Sequence, residues 1–302
     1  MNLKNKWIKL GFGLLWVCFA ATACRRTQEA TRPLVIGVQP NEREKDLESF
    51  RQQLGSRLGV PVSVFVPKDY AELLEAFSKA QVDFAFFSPV MFLNASRGPG
   101  QAKALLKKLY GKDEFYYSAW VTLRDSKVKD LKSLEGFRVG FVDRKSTSGY
   151  LYPRALLRRS GFDAGDDPRK DLKEIPAQYF GTHKDSIRAL LRKEVDLVGV
   201  WSDDPKMGTG AWSDPEFEKT GSKFRVLGVS DPIPNDAFAV RETFYTENPM
   251  LVFRMMESLI GMSEGPKEDQ VLKKVFDIDG LVTATSRHYD SVKELQELVG
   301  KP

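Results

Sequence analysis

Two stretches of this chain repeat one pattern, in which a helix leads through a Val-Asp pair into an apolar strand. The first stretch ends in Val82-Asp83-Phe84-Ala85 and the second in Val195-Asp196-Leu197-Val198. Around both junctions, apolar runs typical of buried strands alternate with segments of helical spacing. This alternation predicts βαβ units and mainly parallel sheets flanked by helices. Two βα units can look alike by coincidence, but we interpret the recurrence as two α/β lobes of similar construction.

The same periodicity predicts the individual elements and the path between the lobes. Strands are expected at residues 34–38, 60–66, 82–87, 137–142 and 195–201, and helices at 47–58, 70–80, 149–161 and 184–193. Segments 115–123 and 231–240 are typical of strands that cross between lobes, since Pro232 and Pro234 restrict the second to extended conformations. We therefore predict lobe 1 at 32–120 and 237–302, lobe 2 at 121–236, and a hinged cleft between them.

The first residues are typical of an export signal. Lys4, Lys6 and Lys9 precede an apolar run over residues 10–23, which is shorter than the ~20 residues that a membrane-spanning helix needs. The run ends in Ala21-Thr22-Ala23-Cys24, which resembles a bacterial lipobox. We predict a signal peptide at 1–23, lipidation of Cys24, a tether at 24–31, and a protein anchored to a bacterial membrane in the periplasm or at the cell surface. An ordinary signal peptide that happens to contain Cys is the alternative.

Composition narrows the function further. Of the two cysteines, Cys18 would leave with the signal and Cys24 would carry lipid, so no thiol remains for a disulfide, a metal or catalysis. Three of the charges behind the formal +5 belong to the signal lysines, and the other basic residues are mixed with acids, which disfavours nucleic acid as a partner. With two histidines, no phosphate loop and no His-Glu-x-x-His helix, the chain does not read as an enzyme, and we predict no cofactor and no metal.

Three adjacent hydroxyls, Ser146-Thr147-Ser148, follow a predicted strand and open a predicted helix. The first N–H groups of a helix lack intrahelical partners and carry partial positive charge, so this position suits an anion. Gly149 would let a ligand approach the backbone, and Pro153 is tolerated only near a helix start. Simple capping is the alternative, because Ser and Thr are favoured N-caps. One cap, however, needs one hydroxyl.

Residues 141–157 resemble the signature of the phosphate/phosphite/phosphonate-binding proteins of ABC importers. Other stretches agree in the same order: Asp69-Tyr70, 82–89, Gly181-Thr182-His183, 232–236 and 278–280. The resemblance implies the type II periplasmic binding protein fold, with two α/β lobes joined by two hinge strands. It also implies a monomer that closes on a phosphorus oxyanion and delivers it to a permease and its ATPase.

The resemblance further implies roles for particular residues. The hydroxyls of Ser146, Thr147 and Ser148 would hold the phosphorus oxygens, and His183 would add a donor. Lobe 1 or the hinge would contribute Tyr70 and either Tyr116 or Tyr117. Relatives that take aminoalkylphosphonates place carboxylates against the ligand amine, and the residues near those positions here are Asp203 or Asp204, and Asp236. Ser88 stands where many relatives have Gly, which affects the shape of the pocket.

Plainer explanations exist for several of these residues. His183 could cap a helix, Tyr70 could pack at a helix start, and Asp203-Asp204-Pro205 could form a turn. At the level of function, a sensory binding protein coupled to a membrane kinase needs the same two-lobed architecture. A different oxyanion or a small organic ligand is a further alternative.

Overall fold

The computed structural model of the protein describes residues 32–40, 47–165, 167–264 and 270–300. The predicted signal peptide, Cys24 and the tether lie outside these residues. The described chain forms a two-lobed α/β fold in which each lobe has its own sheet flanked by helices.

The first lobe is built on a six-stranded sheet of order β14-β4-β13-β3-β1-β2. Its elements are β1 (Leu34–Gly37), α1 (Leu47–Leu58), β2 (Val62–Phe65), α2 (Tyr70–Ser78), β3 (Phe84–Phe87), α3 (Pro89–Arg97), β4 (Ala102–Leu109), β13 (Ala237–Arg241), α6 (Glu242–Glu247), α7 (Pro249–Gly261), α8 (Val271–Phe276) and β14 (Gly280–Thr283). The C-terminal helix α9 (Asp290–Val299) packs against both α3 and the second lobe.

The second lobe is built on a five-stranded sheet of order β11-β5-β10-β6-β9. Its elements are β5 (Phe115–Leu123), β6 (Val139–Phe141), a π-helical turn (Thr147–Leu151), α4 (Tyr152–Arg159), β7 (Phe162–Ala164), β8 (Lys173–Ile175), β9 (Ala177–Tyr179), α5 (His183–Leu191), β10 (Leu197–Ser202) and β11 (Phe224–Val229). The short β12 (Ile233–Pro234) pairs with the start of β5, and β7 pairs with β8.

The predicted parallel strands make up only part of each sheet. Strands β2, β1 and β3 are parallel in lobe 1, and β10, β6 and β9 are parallel in lobe 2. The strands next to the crossings are antiparallel: β13 to β3 and β4, and β5 to β10 and β11. Each sheet is therefore mixed, which corrects the prediction of mainly parallel sheets. Strands β13 and β5 enter from the other lobe, and each runs antiparallel to the strands beside it.

Strand β3 explains how lobe 1 can bury helices on both faces. All four of its residues are buried, and successive side chains point to opposite faces of the sheet. Phe84 and Phe86 pack with α1, α7 and α8 on one face, while Ala85 and Phe87 pack with α2, α3 and α9 on the other. The C-terminal helices α7, α8 and α9 therefore cover the two faces of the lobe 1 sheet.

The two Val-Asp junctions have the same backbone geometry. Ala80 and Lys193, each two residues before the valine, have φ of 58° and 57°. Just after them, the N–H of Gln81 donates to the carbonyl of Ala76 at 2.9 Å, and the N–H of Glu194 donates to that of Ala189 at 3.0 Å. Both helices thus end in the same left-handed motif.

The aspartates of these junctions also make equivalent hydrogen bonds. The carboxylate of Asp83 accepts a hydrogen bond from the N–H of Val35 at 3.0 Å, and that of Asp196 accepts one from the N–H of Arg138 at 2.8 Å. Each carboxylate also holds a guanidinium, that of Arg241 in lobe 1 and that of Arg138 in lobe 2. The repeat in the sequence therefore reflects one structural device used in both lobes, which supports the interpretation of similar construction.

Two short segments connect the lobes. The first runs from the end of β4 at Leu109 into β5, and the second runs through β12 into β13; they pair with each other at Ile233↔Tyr116 and Pro234↔Phe115. From Tyr117 onward β5 pairs with β10 in the second sheet. The boundaries at 120/121 and 236/237 stay predictions, and this pairing favours placing the first a few residues earlier.

We expect Asp83→Ala to lower the free energy of unfolding by about 3–5 kcal/mol, because it leaves buried Arg and N–H groups without their acceptor. Asp196→Ala is the matched control in lobe 2. Its carboxylate is 27% exposed whereas that of Asp83 is fully buried, so water can replace the lost acceptor and the loss should be about 1–2 kcal/mol. Denaturant unfolding measures both, and equal losses would contradict this account.

Candidate functional site

A cavity of about 450 Å³ lies between the lobes, and the nine residues predicted to contact ligand all line it. They are Tyr70, Ser88, Tyr116, Ser146, Thr147, Ser148, His183, Asp203 and Asp236. Their binding of a ligand remains a prediction, but the structure brings them to one place from seven separate parts of the sequence.

The hydroxyl cluster lies where β6 leads into a π-helical turn. Ser146 is the N-cap of this turn, and its Oγ accepts a hydrogen bond from the N–H of Gly149 at 3.0 Å. The plain capping interpretation is therefore correct for Ser146. Pro153 is the second residue of α4, within the first helical turn as expected.

Gly149 does not have the predicted role of letting a ligand approach the backbone. A Cβ at this position would lie 2.4 Å from Cγ2 of Val142. Gly149 is required because the turn packs closely on the end of β6, and it is not among the residues that line the cavity.

Thr147 and Ser148 form hydrogen bonds with residues that come from lobe 1 and the crossing segment. The Oγ1 of Thr147 accepts from the N–H of Val90, in the first turn of α3, at 2.9 Å. The hydroxyl of Ser148 lies near the phenol of Tyr116. Ser146 caps the turn while Thr147 bonds to lobe 1, so capping alone does not explain the run of hydroxyls.

Ser88 provides a second helix N-terminus at the cavity. It is the N-cap residue of α3, yet its side chain makes no capping hydrogen bond. The residue is 5% exposed, and its Oγ has no hydrogen-bond partner among the described residues. A buried hydroxyl without a partner costs free energy, so Ser88 has an unused donor where an anion would meet the positive end of α3.

The two tyrosines supply neutral donors. Tyr70 is buried, and its phenol lies near the hydroxyl of Ser146. Burial and the nearby Asp236 carboxylate raise the pKa of Tyr70 and that of Tyr116 above the usual value of a phenol. Both phenols therefore stay protonated and can donate to an anion. Of the two possibilities left open at 116 and 117, Tyr116 lines the cavity, while Tyr117 pairs with Ser202 in the sheet.

His183 begins α5, but Thr182 caps this helix by accepting from the N–H of Asp185 at 3.0 Å. The Nδ1 of His183 accepts a hydrogen bond from the N–H of Trp201 at 3.3 Å. The ring proton therefore sits on Nε2, which leaves an N–H available to a ligand. Burial lowers the pKa of His183 from its usual 6.5 to about 3, so the ring is a neutral donor at physiological pH.

The two predicted amine-binding carboxylates have different surroundings. Asp203 is exposed at the cavity rim, and burial of part of its carboxyl raises its pKa. Its neighbour Asp204 accepts from the N–H groups of Lys206 and Gly208, so the turn interpretation applies to Asp204. Asp236 instead forms an ion pair with Lys108 at 3.1 Å.

Several lining residues were not predicted from sequence, among them Gln39, Lys108, Tyr110, Lys184, Trp201, Asn235 and Lys274. Asn235 belongs to the Ile-Pro-Asn-Asp segment, and its Nδ2 donates to the carbonyls of Lys108 and Asp113 at 3.0 and 2.9 Å. It thereby fastens the two connecting segments together. The consecutive lysines at 107 and 108, which follow the apolar run Ala104-Leu105-Leu106 of β4, were the available sequence signal for Lys108.

Among the described residues, no group of three or more His, Cys, Asp or Glu side chains could hold a metal ion. No helix in the same part of the chain has the length and apolarity needed to cross a membrane.

The fold and the interlobe cavity define the class of two-lobed type II periplasmic binding proteins. The sequence profile of the family described as "ABC transporter, phosphonate, periplasmic substrate-binding protein" matches residues 36–289. The chain belongs to this family.

Known relatives are similar over much of the chain. The phosphate-import protein PhnD of Mycolicibacterium smegmatis is 26% identical over 62% of this chain, a match that spans 63% of its own length, less than two thirds. The phosphonates-binding periplasmic protein of Escherichia coli is 24% identical over 82% of this chain and 71% of its own. PhnD1 of Prochlorococcus marinus, solved with methylphosphonate, superposes with a TM-score of 0.71 at 16% identity, covering 89% of this chain and 98% of its own.

The neutral state of His183 predicts a pH dependence of stability without ligand. Because its pKa is about 3 when folded and about 6.5 when unfolded, the unfolded state binds the extra proton in this range. The free energy of unfolding should therefore rise with pH from about 3 to 6.5, with a contribution of at most ~1.4 kcal/mol per pH unit.

His183→Asn should remove this contribution, measured as a shallower slope of unfolding free energy against pH. His288→Asn, at the exposed second histidine, is the control and should leave the slope unchanged. An equal slope in His183→Asn and the wild type would show that the ring is not held neutral.

Proposed function

We propose that this chain is a lipid-anchored solute-binding protein that delivers phosphonate, phosphite or a related phosphorus oxyanion to an ABC importer by cleft closure. The observation that carries this proposal is the meeting of two helix N-termini, at Ser88 and at Ser146, in one cavity between the lobes. Helix N-termini favour anions through their N–H groups and dipoles.

The donors around the cavity suit a phosphorus oxyanion. The hydroxyls of Ser88 and Ser148, the phenols of Tyr70 and Tyr116, and the imidazole of His183 are all neutral. Several neutral donors arranged in space can satisfy the oxygens of a tetrahedral group without fixing its protonation state. The family to which the chain belongs, and relatives named for phosphate and phosphonate, support the same ligand class.

The contacts across the cleft support closure as the mechanism. Thr147 of lobe 2 accepts a hydrogen bond from the N–H of Val90 of lobe 1, and the hydroxyl of Ser146 in lobe 2 lies near the phenol of Tyr70 in lobe 1. A ligand held by both lobes has more contacts in the closed state than in the open state, so it shifts the equilibrium toward closure. The permease and its ATPase would then recognise the closed monomer.

The importer role is favoured over a sensor coupled to a membrane kinase by the family description, which names an ABC transporter. The lipid anchor rests on the sequence Ala21-Thr22-Ala23-Cys24. It would hold the protein at a bacterial membrane, in the periplasm or at the cell surface.

Titration calorimetry with phosphate, phosphite, methylphosphonate and 2-aminoethylphosphonate tests the ligand class, and we expect binding of at least one. Ser88→Ala should weaken that binding about ten- to a hundredfold, because a hydrogen bond to a charged group contributes ~1.5–3 kcal/mol. Stability without ligand should not fall, since the Oγ of Ser88 has no hydrogen-bond partner within the described chain.

Ser186→Ala is the matched control, because this buried serine donates to the carbonyl of Thr182 and does not line the cavity. It should leave affinity unchanged. Undiminished affinity in Ser88→Ala would exclude Ser88 as a ligand donor, and no binding of any of the four compounds would refute the proposed ligand class.

Cys24→Ser tests the anchor. Without the thiol that receives lipid, the protein should move from the membrane fraction to the soluble fraction on cell fractionation. Cys18→Ser, within the apolar run, is the control and should leave the protein with the membranes. Retention of Cys24→Ser in the membrane fraction would contradict lipidation at this residue.

A further inference from the structure

Lys108 is an unusual residue for the wall of a binding cavity. Its side chain is 6% exposed, and its Nζ lies 3.1 Å from Oδ2 of Asp236. The ammonium also lies 5.2 Å from the centre of the Phe86 ring. The Nε2 of Gln39 donates to the same Oδ2 at 2.6 Å. Two donors of the protein are thus already directed at one oxygen of this carboxylate.

This ion pair lies beside the hydroxyl cluster. Both Lys108 and Asp236 line the cavity together with Ser146 and Ser148. The Asp236 carboxylate is near enough to contribute to the raised pKa of Tyr70 and of Tyr116, whose phenols lie near those two serines. An ammonium group of a ligand held at the serines that approached the Oδ2 of Asp236 would come close to the Nζ of Lys108.

We propose that Lys108 is a specificity-determining residue, a built-in ammonium that occupies Asp236 and makes the cavity select phosphorus oxyanions without an amino group. This inference rests on the proposed function. A ligand ammonium near Asp236 would have to displace Lys108 or lie beside it, and two like charges in a site shielded from water repel each other strongly. The buried position of Lys108 and its contacts with Asp236 and Phe86 oppose displacement.

Other carboxylates of the cavity wall are also paired within the protein. Asp214 forms an ion pair with Lys184 at 2.9 Å, and Asp277 forms one with Lys273 at 2.8 Å. Among the described residues, the remaining carboxylate of the lining is Asp203, which is exposed at the rim. Because part of the Asp203 carboxyl is buried, it is the lining carboxylate outside an ion pair that a ligand amine could reach, and its contribution needs a separate test.

Calorimetry of methylphosphonate and 2-aminoethylphosphonate gives the ratio of their dissociation constants, which is the quantity that Lys108 should control. We expect the wild type to bind methylphosphonate at least tenfold more tightly than 2-aminoethylphosphonate. Lys108→Met keeps an unbranched side chain one atom shorter than that of lysine and removes the ammonium group, and it should shift the ratio at least tenfold toward 2-aminoethylphosphonate. Lys108→Gln, which keeps a neutral donor near Asp236, is a second variant for the case that Lys108→Met does not fold.

Lys107→Met is the matched control. This neighbouring lysine is equally buried, but it pairs with Glu114 and is not part of the lining, so the ratio should stay as in the wild type. The double variant Lys108→Met/Asp236→Asn should lose the shift, because the carboxylate that attracts the amine is gone.

The role of Lys108 and the proposed phosphorus ligand can be refuted separately. If the wild type binds 2-aminoethylphosphonate as tightly as methylphosphonate, or if neither Lys108 variant changes the ratio, the role of Lys108 is refuted while the phosphorus ligand stands. If 2-aminoethylphosphonate binds tightly and Asp203→Asn abolishes this binding, the amine lies at the rim and the role of Lys108 is also refuted. Binding of none of the four phosphorus compounds would remove the proposed function and this inference with it.

Discussion

The donors at the starts of α3 and of the π-helical turn need acceptors, and one of these donors finds its acceptor across the contact between the two lobes. Helix starts carry N–H groups that no residue of their own helix can satisfy. Here one of them, the N–H of Val90, is satisfied across the cleft by Thr147, and the N–H of Gly149 is satisfied locally by Ser146. Ser88 adds a buried hydroxyl with no partner among the described residues. A tetrahedral anion carries several acceptors on one small group, so it suits a place where donors from both lobes converge.

Local features of the site and fold could be predicted from the sequence because they depend on neighbours along the chain. The helix at 47–58, the cap at Asp69 and the hydroxyl cluster all follow from spacing and residue type within a few positions. The two Val-Asp junctions were recognisable for the same reason. Their aspartates accept hydrogen bonds from backbone N–H groups that are distant in sequence, 48 residues away for Asp83 and 58 for Asp196, but the helix end that precedes each aspartate is local.

Features that depend on pairing between distant strands could not be predicted in this way. Lys108 and Asp236 are 128 residues apart in sequence, and they meet because β13 enters lobe 1 from the second crossing and pairs with β4. The same strand accounts for the antiparallel part of the sheet. Gly149 was misinterpreted for a related reason, since the atom that excludes a side chain there belongs to Val142, which precedes it by a whole loop. Sequence spacing indicates which residues share a helix face, but it does not give the register of strands that come together from different lobes.

The crossing segments connect the cavity to the proposed hinge. Tyr116 lines the cavity and also pairs with Ile233 where the two segments meet. Asn235 follows Pro234 in the second segment, and its side chain donates to the carbonyls of Lys108 and Asp113. The backbone carbonyl of Asn235 accepts a hydrogen bond from the phenol of Tyr289 at 3.1 Å. Asp236 follows immediately and pairs with Lys108. Residues 233–236 thus carry the strand pairing with Tyr116 and Phe115, the Asn235 hydrogen bonds and the ion pair with Lys108. A ligand that alters the surroundings of Asp236 would therefore also act on the segment about which the lobes would turn. Ligand selection and closure are therefore expected to depend on the same short stretch of chain.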